Sequence, residues 1–321
     1  MSTIMITGGT GFIGSHLARE LLNNGYNVVL VDIRIRKKLI KDIVEKVRIV
    51  KGDITVPTQL SDAVNTYDVD AIVHYAALKS SAAEKNPQLA YGINFEGLWN
   101  VFEIARAMDL STVIFASSIA AYGPGLPRIV KEDTYTIPHT LYGISKQLGE
   151  MLGLWFFRKY GIEFAAFRYG SVIGPGRCDG GASAYSTLII QKTVQGDPYV
   201  ANVPKDTKIP LVYVKDVVDA TLTAYERIRT LKNRIYNLVS LVPSPSAKDI
   251  ADMVKRYVPN AKITFKPDPE TTEITKSWPR DLDITRTHNE LGWKPKYSSL
   301  DVLVEDFVSE VRRHPDMYTV S

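Results

Sequence analysis

The segment that most restricts what this chain can fold into lies at its start. Ile4-Met5-Ile6 runs through Thr7-Gly8-Gly9-Thr10-Gly11-Phe12-Ile13-Gly14 directly into Ser15-His16-Leu17-Ala18. An apolar run, a glycine turn and a helical start in immediate succession predict a buried strand feeding a helix. A pyrophosphate needs bare backbone N–H groups at the positive end of such a helix, and only residues without a β-carbon let the two come close. Gly8, Gly11 and Gly14, with Phe12 and Ile13 between them, are therefore candidates to hold a dinucleotide. Eighteen residues past Gly14, Asp32 closes the run Val28-Val29-Leu30-Val31. A carboxylate there can accept from both hydroxyls of an adenosine ribose, which favours NAD. Arg34 and Arg36 could instead receive a 2′-phosphate, but only against the charge of Asp32.

The rest of the first half repeats this alternation. Short β-branched runs at Thr3 to Thr7, Asn27 to Val31, Val47 to Lys51, Ala71 to Tyr75, Thr112 to Ala116 and Glu163 to Tyr169 read as strands. Amphipathic segments near 13–24, 58–66, 88–109 and 141–160 read as the helices between them. Continuous apolar runs mark strands covered on both faces, so the expected fold class is α/β: a doubly wound parallel (Rossmann) sheet over residues 1–170. After residue 170 the alternation weakens and Pro and Gly punctuate the chain, as in Gly174-Pro175-Gly176 and Pro243-Ser244-Pro245. Residues 171–321 are expected to form mainly a smaller substrate-binding lobe, with part of 210–240 returning to the first domain.

Composition excludes several alternatives. The formal charge is +4 over 321 residues, with the basic groups dispersed, so no phosphate-tracking surface for nucleic acid is expected. One cysteine, Cys178, and five scattered histidines give neither a disulfide framework nor metal-ligand spacing, and no metal is expected. No apolar run approaches the roughly 20 residues that span a bilayer. A cytoplasmic setting and a small-molecule substrate fit these features.

Tyr142-Gly143-Ile144-Ser145-Lys146 sets a phenol and an ammonium four apart, on one face of a helix. A free phenol titrates near 10 and is a poor base at neutral pH unless positive charge stabilises its anion. Lys146 and an oxidised nicotinamide would supply that charge, allowing Tyr142 to exchange a proton with a substrate hydroxyl. In isolation such a pair is more often a surface pair; the upstream glycine turn reverses that reading. The strand Val113-Ile114-Phe115-Ala116 ends in Ser117-Ser118, which brings two hydroxyls to the edge where open α/β sheets bind ligands. His74, inside a strand, reads as a packing residue.

These stations, in this order, resemble the extended short-chain dehydrogenase/reductases, and the likeness covers essentially the whole chain. The resemblance implies NAD as cofactor, with Gly8, Gly11 and Gly14 on the pyrophosphate, Asp32 on the ribose, and Asp53 and Ile54 beside the adenine. Ala76 and Ala77 of His74-Tyr75-Ala76-Ala77 would line the cofactor channel, Asn94 would brace the sheet edge, and Ser117 and Tyr169 would border the cofactor. Ser118, Tyr142 and Lys146 would be the catalytic set, with Tyr142 and Lys146 also touching the cofactor.

The substrate is read from the second half. Sugar-nucleotide epimerases of that family carry an Asn after Arg-Tyr-Phe and an Arg that grips the diphosphate. Here Arg168-Tyr169-Gly170-Ser171 presents Ser171, and Ile209 heads the segment matching the diphosphate arginine. Glu84 to Ala90, Ser117 to Pro124 and Ser277-Trp278-Pro279 resemble instead the short-chain threonine dehydrogenase branch, although Gly181-Ala182-Ser183-Ala184-Tyr185 lacks the carboxylate that branch shows before its tyrosine. The expected function is oxidation of a small secondary alcohol, L-threonine first, with Ser80, Ser118, Ser171, Ser183 and Trp278 on the substrate. A UDP-glucose/galactose-type 4-epimerase with tightly held NAD is the alternative. Family members pair as homodimers through helices matching 97–109 and 141–160, which implies a four-helix contact with Leu154, Trp155 and Phe156 as its exposed apolar residues.

Overall fold

The computed structural model describes residues 2–178 and 180–319. Its strands are β1 Thr3–Thr7, β2 Asn27–Asp32, β3 Arg48–Lys51, β4 Ala71–His74, β5 Thr112–Ser118, β6 Ile129–Val130 and β7 Glu163–Tyr169. Beyond these come β8 Ser171–Ile173, β9 Tyr199–Ala201, β10 Leu211–Tyr213, β11 Ile235–Leu238, β12 Ile263–Phe265 and β13 Asp281–Leu282. The helices of the first half are α1 Phe12–Asn23, α2 Pro57–Tyr67, α3 Ser80–Lys85, α4 Pro87–Tyr91, α5 Gly97–Ala107 and α6 Leu141–Tyr160. Those of the second half are α7 Tyr185–Val194, α8 Val214–Arg227, α9 Ala247–Tyr257, α10 Pro269–Lys276, α11 Thr285–Leu291, α12 Leu300–Arg313 and α13 Pro315–Tyr318.

Seven strands form one parallel sheet in the order β11-β7-β5-β4-β1-β2-β3. Period-two alternation splits its side chains between two cores: Ile4 and Ile6 of β1 pack on the face covered by α1 and α8, while Met5 faces α2 and α5. Both faces are buried, as continuous apolar strands require. The strand order reverses between β1 and β4, so a crevice opens outside their carboxyl ends, and the glycine turn after β1 lies there. This is the doubly wound, Rossmann-like arrangement expected from the alternation.

The second half adds a separate apolar core, in which Ile189, Leu211, Ile250, Leu303 and Phe307 are buried among α7, α9 and α12. Three two-stranded parallel pairs, β8–β10, β9–β12 and β6–β13, stand apart from the main sheet, and the last joins the second half to a segment of the first.

Two expectations need correction. The helix expected over 88–109 is interrupted: α4 passes into a wide π turn at Gly92–Glu96 before α5 begins at Gly97. Inside that turn the buried amide of Asn94 accepts from Leu78 N at 2.7 Å and donates to Leu78 O at 2.8 Å. Phe156, expected on an exposed face, is core, its ring stacked on Phe102 with centroids 5.2 Å apart. No helix among the described residues is long and apolar enough to cross a membrane.

Candidate active site

The glycine turn is built for close approach. Gly8 has φ +68°, a left-handed backbone that a side chain would strain, and a β-carbon there would stand 3.0 Å from Ala76 N. At Gly14 a β-carbon would meet Gly8 O at 2.6 Å, so α1 can lie against the turn only without one. The amides of Gly8 and Gly9 donate to Val31 O, which fixes the turn to the end of β2. Gly11 provides no side-chain cap and the first turn of α1 has no acidic residue, so its leading N–H groups and positive dipole end face the crevice. A phosphate fits this cradle; a β-carbon would fill it.

Asp32 is buried at the rim of the turn. Its Oδ2 accepts from Thr10 N at 3.2 Å and Thr10 Oγ1 at 2.8 Å, and its Oδ1 accepts from Arg34 N at 3.1 Å. The Arg36 guanidinium lies 3.7 Å from Oδ2. The carboxylate is thus held rigidly while retaining lone pairs for a ribose. Asp53 accepts from Thr55 N and Thr55 Oγ1, both at 2.9 Å, and Ile54 wedges against Gly97 of α5. Neither is among the residues lining the central cleft described next.

That cleft opens at the carboxyl ends of the strands. It brings together Phe12, Ile13, Ala77, Ser80, Ser117, Ser118, Tyr142, Lys146, Tyr169, Ser171, Ser183 and Trp278, drawn from positions spread over 267 residues of chain. Tyr142 and Lys146 stand one turn apart on α6, whose start is capped by Thr140 accepting from Gly143 N at 3.0 Å. Lys146 is almost wholly buried, its Nζ 4.7 Å from the centroid of the Phe115 ring and 5.3 Å from that of Tyr142. Burial, reinforced by the positive charge of Lys79 and opposed by Glu150, pulls its ammonium down to about 7. Ser118 Oγ accepts from Ala120 N at 3.2 Å, which leaves its own hydrogen to donate into the cleft.

Other expected residues serve the walls. Ser117 donates to Glu150 Oε1 at 2.5 Å, and Arg168 donates from Nε to the same oxygen at 2.8 Å and from Nη2 to Oε2 at 2.6 Å. This buried ion pair ties α6 to β7. The Asn94 clamp on Leu78 holds the segment that carries Ala76 and Ala77. His74 bonds Thr7 Oγ1 at 2.6 Å, and burial, with Lys146 adding to it, drops its imidazole to about 3, so the ring stays neutral. Tyr75 and Tyr169 share Thr221 as partner, and burial pushes both phenols above the ordinary value.

Sequence reasoning missed Tyr75, Lys79 and Arg177 in the cleft lining. Arg177 is buried, donating from Nη1 to Ser171 Oγ at 3.1 Å and to Val172 O at 2.9 Å, and from Nη2 to Ser183 Oγ at 2.9 Å. It thereby links the two serines expected on the substrate side. Its only sequence signal was a guanidinium directly after Gly174-Pro175-Gly176, where a loop cation ordinarily faces solvent. No group of His, Cys, Asp or Glu among the described residues is arranged to hold a metal ion.

The model of the NAD dependent epimerase/dehydratase family matches residues 4–238. Mitochondrial L-threonine 3-dehydrogenase of Bos taurus is 32% identical over 299 residues, covering 91% of this chain and 78% of that protein. The GalE-like L-threonine dehydrogenase of Cupriavidus necator, solved in its holo form, superposes with a TM-score of 0.88 at 30% identity, covering 96% of this chain and 99% of that one. The UDP-glucose 4-epimerase of Thermotoga maritima, solved with UDP-glucose, gives 0.86 at 25% identity, covering 97% and 99%.

Proposed function

As the chain belongs to the NAD dependent epimerase/dehydratase family, we propose that it is an NAD-dependent oxidoreductase that oxidises a small secondary alcohol, with L-threonine, giving 2-amino-3-ketobutyrate, the first substrate to test. The observation that carries this reading is the meeting of Ser118, Tyr142 and a buried Lys146 in one cleft that begins at the open end of α1. The amides of the glycine turn would hold the pyrophosphate of NAD, and Asp32 the adenosine ribose. Bound NAD supplies the hydride acceptor. Ser118 donates a hydrogen bond to the substrate oxygen and Tyr142, as phenolate, takes its proton. Lys146 stabilises that phenolate through its charge; in a dry cleft the attraction is stronger than in water. Trp278 and the 181–183 segment limit the volume left for the substrate.

Against a sugar nucleotide, Ile209 is fully buried in the second core and offers no charge to a diphosphate. The epimerase reading draws on the likeness to the Thermotoga maritima enzyme; it predicts NAD that copurifies and interconversion of UDP-glucose and UDP-galactose. The deciding experiment incubates the protein with NAD and a panel of small hydroxy acids, hydroxy amino acids and UDP-sugars. Nicotinamide reduction by a small alcohol, L-threonine first, supports the dehydrogenase, and its absence throughout the panel rejects it.

We further propose a homodimer through α5 and α6. Trp99, Ile144 and Met151 are each more than two-fifths exposed on these helices, an apolar face that a second copy would cover.

A further inference from the structure

The loop carrying Arg177 is held from behind by Tyr318. Gly176 has φ +91°, and a β-carbon there would come within 3.2 Å of the Tyr318 ring, so this glycine is needed both for its backbone and for the contact. The fully buried amide of Gln191 joins the two segments: its Oε1 accepts from Gly176 N at 3.1 Å and its Nε2 donates to Tyr318 O. Gln195 donates to the same carbonyl at 2.9 Å. On the other side the Tyr318 ring stacks on His16 of α1, centroids 6.2 Å apart and planes 1° from parallel. His16 Nε2 lies 3.1 Å from Pro175 O. A carbonyl can only accept, so that nitrogen carries the proton, and burial keeps the ring neutral. Tyr318 thus contacts the helix that opens on the phosphate cradle and, through Gln191 and Gly176, the residue preceding Arg177.

We propose that Tyr318 is a positioning residue for substrate binding: its ring and carbonyl, acting through Gln191 and His16, fix the Pro175–Gly176 turn and so aim Arg177 at Ser171 and Ser183. Nothing in the chemistry passes through the tyrosine itself, whose ring is 4% exposed and which does not line the cleft. The role needs an aromatic ring at 318 but no hydroxyl, which separates it from simple retention of the C terminus. The kinetic part rests on the oxidoreductase reading above; the loop's placement does not.

The test uses the full-length chain with Tyr318→Ala and Tyr318→Phe. With the best substrate of the panel, Tyr318→Ala is expected to raise KM about 10-fold while kcat and NADH affinity, read by nicotinamide fluorescence, stay within about 2-fold, and Tyr318→Phe to restore wild-type KM. In parallel, trypsin is expected to cut after Arg177 at least about 10-fold faster in Tyr318→Ala than in wild type or Tyr318→Phe, at a temperature well below unfolding. Unchanged cleavage overturns the proposal whether or not a substrate has been found. Faster cleavage with unchanged KM also overturns it, because the loop would then be held without serving the substrate. Losses of kcat and NADH affinity in step with melting temperature would reduce Tyr318 to a general stabilising role.

Discussion

Lys146 Nζ sits 4.7 Å from the centre of the Phe115 ring, so the charged end of the residue assigned to activate the phenol rests on an aromatic surface in the middle of β5. A cation over a ring face gains attraction without a counter-ion, yet less than full hydration gives. The ammonium is accordingly held at a cost to the fold.

That cost sets a prediction for Lys146→Met. An unfolded chain keeps the lysine proton up to about 10.4, whereas the folded chain releases it at about 7. Between those values the unfolded state binds more protons, so wild-type stability rises with pH, and below about 7 the full penalty of a buried charge applies. Lys146→Met is expected to be more stable than wild type at pH 6 by at least ~2 kcal/mol, with the gap narrowing toward pH 9, and to be inactive. Urea unfolding at the two pH values measures this; a less stable variant at pH 6 would refute the assignment of a strained ammonium.

Gly149, one turn beyond Lys146 on α6, faces Phe115 so closely that a β-carbon would stand 2.3 Å from its ring. Alanine is the better helix former by about 1 kcal/mol, but overpacking a filled core costs about 1–3 kcal/mol and moves the helix that carries Tyr142 and Lys146. Gly149→Ala is expected to lower the melting temperature and to reduce kcat. A variant melting above wild type would show that α6 has slack.

His16 predicts an acid-side loss of stability. Burial holds its imidazole down to about 4, whereas an unfolded histidine takes its proton near 6.5. As pH falls between those values the unfolded state is favoured, by up to about 1.4 kcal/mol for each pH unit. His16→Gln, which keeps a donor for Pro175 O, should flatten the pH dependence between 6.5 and 5 by an amount approaching that slope. Equal slopes in the two proteins would mean that His16 is solvated in solution.

For the proposed dimer, sedimentation of the wild type should give twice the monomer mass at micromolar concentration, and Trp99→Lys with Met151→Lys should give a folded monomer. A monomeric wild type removes the α5–α6 contact.

What could be read from the sequence was what local order determines. The strands at 3–7, 27–31 and 163–169 announce themselves by the apolar runs at their centres, Ile4–Ile6, Val28–Val31 and Phe164–Phe167, and Tyr142 and Lys146 share a face by spacing alone. The π turn within 88–109 was hidden because Asn94, which lies in it, is clamped to Leu78, sixteen residues away. β11 carries Asn237, whose amide is satisfied by Val130 O and Tyr122 in a different segment, so nothing in Ile-Tyr-Asn-Leu signals a strand of the main sheet. Arg177 went unread for the same reason: Ser183 and Gln191, which set its surroundings, become neighbours only once the second half has folded.

The most direct measurement is the rate of nicotinamide reduction by Tyr142→Phe beside wild type, with NADH affinity determined on the same samples. Removing one hydroxyl oxygen leaves the ring, the cleft and the cofactor cradle in place, so the account predicts NADH affinity within about 3-fold of wild type and a fall in turnover of at least ~1,000-fold. Turnover by Tyr142→Phe near the wild-type rate would contradict it, because the proton would then be leaving by a route that does not use this phenol.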